Sequence, residues 1–234
     1  MDNKTFFDGY TPVSLEIMRL DRVPGFNLYI VGPSGLVLYR EKNIKFTLKN
    51  LKALLENNVR HLYFANKEES KYYEYIEENL STIIDDKKVP NNKKASLIYD
   101  ASAHLAQQMF MEPDSRKIVK RASKVMDSVV SFTTKGENGY KDIIQMLPSD
   151  YYTHTHSANV ATYSLAIGQE LGMTQNTGVW ELTLGALLHD IGKSKVPDTI
   201  LNKRGSLTRQ EFGIVKLTCP MGPGYSWRNR GRPA

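Results

Sequence analysis

The apolar residues of this 234-residue chain settle into a single spacing only after the polar run Asp85-Asp86-Lys87-Lys88-Val89-Pro90-Asn91-Asn92. Before it, stretches that alternate or fall in short β-branched and aromatic runs are mixed with stretches of helical spacing. After it, apolar residues recur every three or four positions, the spacing of one helical face. Two periods demand two kinds of packing layer, so the predicted fold class is α+β: a small N-terminal α+β unit over residues 1–86, then a mainly α-helical remainder.

Within the first unit, Val13-Ser14-Leu15-Glu16-Ile17 alternates, and Leu28–Val31 and Leu36–Tyr39 flank Gly32-Pro33-Ser34-Gly35, which predicts strands joined by a tight turn. Thr47 is placed to cap a helix carrying Leu48, Leu51, Leu54 and Leu55. His61–Phe64 then predicts a buried strand, and a helix follows from about Glu68 to Ile84. Residues 87–148 are expected to be a helical connector, with Leu97, Ala101, Leu105 and Met109 on one face and a second helix starting near Pro113-Asp114-Ser115. A further helix begins around His156 and ends at Leu171-Gly172, another runs from about Gly178 to His189, and Thr208 with Glu211 has the spacing of a capping box.

A hydrophobic content of 41% is enough for a buried core and argues against global disorder. The net charge of +6 comes from lysines scattered among acids, not from one basic block, so nucleic acid is not an expected partner. No apolar run is long enough to span a membrane, and the N-terminus leads into no signal-type stretch. With Cys219 as the single cysteine there is no internal disulfide and no Cys-rich zinc cluster, and the expected location is cytoplasmic.

Chemistry concentrates in Leu187-Leu188-His189-Asp190-Ile191-Gly192-Lys193. Adjacent His and Asp offer nitrogen and oxygen ligands to one divalent metal, but helical neighbours point about 100° apart, so they converge only where a helix ends. Gly192, able to turn left-handed, is expected to provide that ending. Lys193 then lies beside the ion, its ammonium available to a phosphate oxygen. An isolated His-Asp dipeptide is more often a helix cap beside a surface ion pair. His156, at the start of an earlier helix, alters that balance, because antiparallel helices place it opposite His189. His154 is poorly placed to join them, and His61 and His104 are expected to be structural.

These residues, with their surroundings, resemble the HD-GYP branch of the HD-domain phosphohydrolases, enzymes that hydrolyse the bacterial messenger cyclic di-GMP. The resemblance rests on Tyr151-Tyr152-Thr153 through His156-Ser157-Ala158-Asn159-Val160-Ala161, on Leu184 through Lys193, and on Val196-Pro197, Ile200-Leu201-Asn202-Lys203 and Gly205 to Glu211. It implies that residues 149–217 form a partial HD domain, that the N-terminal unit is regulatory, and that His156, His189 and Asp190 are metal ligands, with Lys193 and Asp190 the catalytic groups. It also implies a pair of iron or manganese ions in the intact family, and cyclic di-GMP or a related nucleotide as partner, with a signalling protein as a further expected partner. Where some members carry a Glu that supports a third metal, Tyr152 stands here, so a trinuclear site is not expected.

After Lys216 the resemblance breaks. The family continues with Lys-x-His-x-x-x-Gly, a His-His pair and a Gly-Tyr-Pro loop, whereas residues 218–234 form an aberrant tail with Gly224-Tyr225-Ser226 and no Lys, Ile, Leu or Val. Read one base out of frame from the last base of Leu217, the permitted codons include His-x-x-x-Gly, which predicts a frameshift in the coding DNA. The activity is therefore expected to be impaired. The alternatives are a catalytically inactive binding or signalling remnant, or another HD-type nucleotide phosphohydrolase.

Overall fold

The computed structural model describes residues 7–135, 139–147, 153–174 and 178–216. The tail 218–234, with Cys219, and the position of Tyr152 lie outside them. The chain divides into two units, Met1–Leu97 and Ile98–Ala234.

The first unit holds a four-stranded antiparallel sheet of β1 (Tyr10–Ser14), β2 (Leu28–Gly32), β3 (Gly35–Arg40) and β4 (His61–Ala65), in the order β1-β4-β2-β3. The β2–β3 hairpin closes through Pro33 and Ser34, with Gly35 at φ 121°, a conformation closed to a residue with a Cβ. The alternation that predicted a strand to Ile17 divides instead. β1 ends at Ser14, whose hydroxyl accepts the Glu16 N–H at 3.4 Å, and Leu15–Ile17 make a 3₁₀ turn. Val13, Leu15 and Ile17 are buried all the same, so the alternation recorded burial and not pairing. In α1 (Leu48–Glu56), Thr47 accepts the Asn50 N–H and Asn50 Oδ1 accepts the Thr47 N–H, a capping box closed by Asn where Glu or Gln is usual. α2 (Glu69–Asp85) packs on the sheet through Tyr72, which stacks on Phe64 of β4 at 4.6 Å, and Phe26, just before β2, meets Phe64 edge-on at 5.5 Å.

α3 (Asn91–Met111) starts earlier than its apolar periodicity suggests, because the Pro90 carbonyl accepts the N–H groups of Lys93 and Lys94 and winds the polar Asn91-Asn92 into the first turn. Its predicted face, Leu97, Ala101, Leu105 and Met109, is buried.

In the second unit α3 continues into α4 (Arg116–Lys135), α5 (Gly139–Ile144), α6 (Thr153–Glu170), α7 (Val179–Leu188), α8 (Asp198–Leu201) and α9 (Arg209–Lys216). Among the described residues α6 and α7 form the most extensively packed helix pair. Ala158, Ala161 and Leu165 of the one and Val179, Leu184, Leu187 and Leu188 of the other are buried. Gly168 permits the close approach: a Cβ there would lie 3.0 Å from Leu182 Cδ2. α6 stops at Gly172, φ +77°, where Met173 N–H bonds the Gly168 carbonyl and Gly172 N–H the Gln169 carbonyl, a Schellman turn that sends α7 back antiparallel. That reversal brings the start of α6 alongside the end of α7. Among the described residues no helix is long and apolar enough to cross a membrane.

Candidate metal centre

α7 is regular through Leu188, and His189 keeps helical angles (φ −56°, ψ −31°). Asp190 leaves them, at φ −101° and ψ 1°, and a 3₁₀ turn spans Ile191–Lys195. The chain thus tightens at Asp190, and this change of winding swings its carboxylate back beside His189. Gly192 does not do it, contrary to expectation: it lies inside the 3₁₀ turn and is not among the glycines with positive φ. Tighter winding also places Lys193. In a 3₁₀ helix side chains three apart eclipse, and the Lys193 N–H bonds the Asp190 carbonyl at 2.9 Å while its Nζ donates to Asp190 Oδ2 at 2.7 Å.

His156, in the first turns of α6, arrives from the neighbouring helix. Its Nε2 lies 3.7 Å from Asp190 Oδ2, and His189 Nε2 lies 3.3 Å from the same oxygen. The two imidazoles face edge to face at 5.3 Å between ring centres. One ligand atom from each of His156, His189 and Asp190 falls within 4.8 Å of the others, and among the described residues this is the one group of three such side chains. Asp190 is buried, and both histidines are open enough to meet a ligand from solvent.

The donor set suits a divalent cation. Ligand atoms about 2 Å from one ion stand roughly 3–4 Å from each other, the range of the two distances to Asp190. His189 Nδ1 lies 2.7 Å from the Ala186 carbonyl, which can only accept, so Nδ1 carries the proton. In the neutral ring the Nε2 lone pair then faces a carboxylate oxygen with no hydrogen between them. A cation relieves that repulsion, and a backbone carbonyl on the far nitrogen is the usual partner of a metal-bound histidine.

His156, His189, Asp190 and Lys193 are therefore brought together. His61 lies in β4, and His104 lies on α3 near Gln108, whose Oε1 accepts from Arg121 on α4. Two contributions had no reading in the sequence. The Ala186 carbonyl carries no sequence signal at all. The other is Asn159, whose Oδ1 accepts from the Tyr99 hydroxyl at 2.8 Å; its position three residues after His156 was visible, its partner on α3 was not. Downstream, Thr208 and Glu211 form the expected capping box (Glu211 N–H to Thr208 Oγ1 3.2 Å, Thr208 N–H to Glu211 Oε2 2.7 Å), and Lys203 reaches the same carboxylate at 2.6 Å. The Lys203 ammonium, and after it the Thr208 N–H, hold the Glu211 carboxyl down at about 2.

Residues 153–218 match the HD domain family. Over 95 residues the chain is 39% identical to the cyclic di-GMP phosphodiesterase PA4108 of Pseudomonas aeruginosa, covering 41% of this chain and 23% of that protein. Over 83 residues it is 42% identical to a cyclic di-GMP phosphodiesterase of Thermotoga maritima, covering 35% and 22%. The match thus spans less than a quarter of either relative. Among solved structures, Bd1817, an HDG"Y"P protein from Bdellovibrio bacteriovorus, superposes with a TM-score of 0.51 at 25% identity over 89% of this chain and 69% of that one.

Proposed function

We propose, on the match of residues 153–218 to the HD domain family, that His156, His189 and Asp190 hold a divalent metal, iron or manganese, at a site for the phosphodiester of cyclic di-GMP or a related cyclic dinucleotide. The observation that carries this reading is the convergence of the three ligand atoms, with the His189 tautomer set by Ala186. A bound cation supplies Lewis acidity at phosphorus and lowers the pKa of water toward neutrality. The protein's part is to hold the ligands in register. His189 and Asp190 are fixed within one turn of chain and His156 is presented from α6. The Lys193 ammonium, now on Asp190, is within reach of a phosphate oxygen and can balance its charge.

Among the described residues three donors furnish one ion, and the pair of metals that the family resemblance implies needs more than this cluster holds. We read hydrolysis by this chain as impaired for that reason. The test is metal stoichiometry and turnover together. After loading with Mn²⁺ or Fe²⁺ under anaerobic conditions, one ion should bind per chain and none to His189→Ala, with cyclic di-GMP converted slowly to the linear dinucleotide. Failure of the wild type to retain either metal would overturn the reading. Binding of cyclic di-GMP with no linear product would favour the second reading, a catalytically inactive signalling protein, which the same three-donor set supports.

A further inference from the structure

His189 and Asp190 owe their places to bonds inside their own few residues, but His156 must be delivered by a different helix. It sits in the opening turns of α6, where backbone N–H groups lack intrahelical acceptors and helices fray. A ligand carried on such an end needs a hold from outside the helix. One turn beyond His156, Asn159 receives the Tyr99 hydroxyl at 2.8 Å, a bond between α3 and α6 across a long stretch of sequence. Tyr99 is itself buried, 6% exposed, on a helix whose buried face also carries Ile98, Ala101, Ser102 and Leu105. Its ring is therefore a rigid post and not a mobile surface group.

We infer that Tyr99 is a positioning residue for the metal centre: through Asn159 it fixes the first turns of α6 and so holds the His156 imidazole in register with His189 and Asp190. The inference rests on the reading of those three side chains as ligands. Burial, and then the nearby Asp100 carboxylate, push the Tyr99 hydroxyl up to about 12, so it remains a donor wherever the protein is folded. Outer-shell partners of metal ligands commonly govern affinity by about 10–100-fold when removed. Tyr99 acts one residue further out, so an effect near the lower end, about tenfold, is expected.

The test uses the full chain with Tyr99→Phe, which keeps the ring and deletes the donor, and with Asn159→Ala, which deletes the acceptor from the other side. In metal-free protein, both variants should speed amide hydrogen exchange of residues 157–162 and broaden the His156 ring signals in ¹H–¹⁵N spectra. Amides of residues 183–188 in α7 should be unchanged. With Co²⁺ as a spectroscopic probe, each variant should bind about tenfold more weakly and shift the d–d absorption, and the double variant should be no worse than either single one. Unaltered exchange and an unaltered His156 spectrum would overturn the inference, whatever the metal does. Failure of the wild type to take up Co²⁺ would instead sink the ligand reading, and the metal-free measurements would still decide the role of Tyr99.

Discussion

Asp190 Oδ2 is met by three nitrogen atoms, from His156, His189 and Lys193, at 3.7, 3.3 and 2.7 Å. On the proposed reading one oxygen serves both as a ligand atom and as the seat of an ammonium, and the two neighbouring substitutions should separate these roles. Asp190→Asn should weaken Mn²⁺ binding at least about 100-fold, more than outer-shell losses do, as read by calorimetric titration. Lys193→Ala should leave Mn²⁺ binding equal or tighter, since it removes a competing cation, while lowering turnover of cyclic di-GMP. Weaker metal binding in Lys193→Ala would contradict this division. At this scale the sequence was partly legible. His189, Asp190 and Lys193 are near neighbours in sequence, so their grouping shows in a string of letters. The device that converges them does not, because a glycine two places on was the visible candidate while the change of winding occurs at Asp190 itself.

The elements were more legible than the residues, because caps and apolar faces are local. The cap at Thr47 and the capping box at Thr208 formed as expected, whereas the strand predicted to Ile17 failed because burial alternates equally well through a 3₁₀ turn. Thr47→Ala should cost about 1 kcal/mol of stability, measured by urea unfolding. For α9 the sign with pH follows from Glu211, whose carboxyl falls from its ordinary 4.5 to about 2 in the folded chain. A depressed acid stabilises when ionised, so the cap is fully formed above about pH 4.5 and lost as pH falls toward 2. Protection of the Glu211 amide from exchange should decline over that window, and in Glu211→Gln it should show no such transition. Gly139 marks another local constraint. A Cβ there would lie 2.7 Å from the Phe132 carbonyl oxygen and 2.7 Å from Thr133 Cα, backbone that cannot rotate aside, so Gly139→Ala should destabilise by about 1–3 kcal/mol in the same urea assay.

Across the whole molecule, Trp180 lies on α7 in the second unit and residues 1–97 contain no tryptophan, so indole fluorescence reports nothing of the first unit. Metal at about 100 times its Kd should stabilise that unit by about 2.7 kcal/mol. For a domain of this size the corresponding rise in the fluorescence-detected Tm is about 5–10 °C. An equal rise in His156→Ala would mean that the ion acts elsewhere. The change of apolar period near residue 86 announced two kinds of architecture, and a sheet with its helices followed by a run of helices is what the chain forms. The partner helices were not announced, because an apolar stripe states that a face is covered without stating by what.

The Schellman turn after α6 has a consequence for polymer topology. The proposed ligands His156 and His189 lie at the two far ends of a helical hairpin that reverses at Gly172. An ion held by both closes the folded hairpin into a ring, a reversible cross-link that lasts only while the two helices stay in register. A chain cut once within that reversal should then stay in one piece while the ion is bound and separate far more readily when a chelator takes it away.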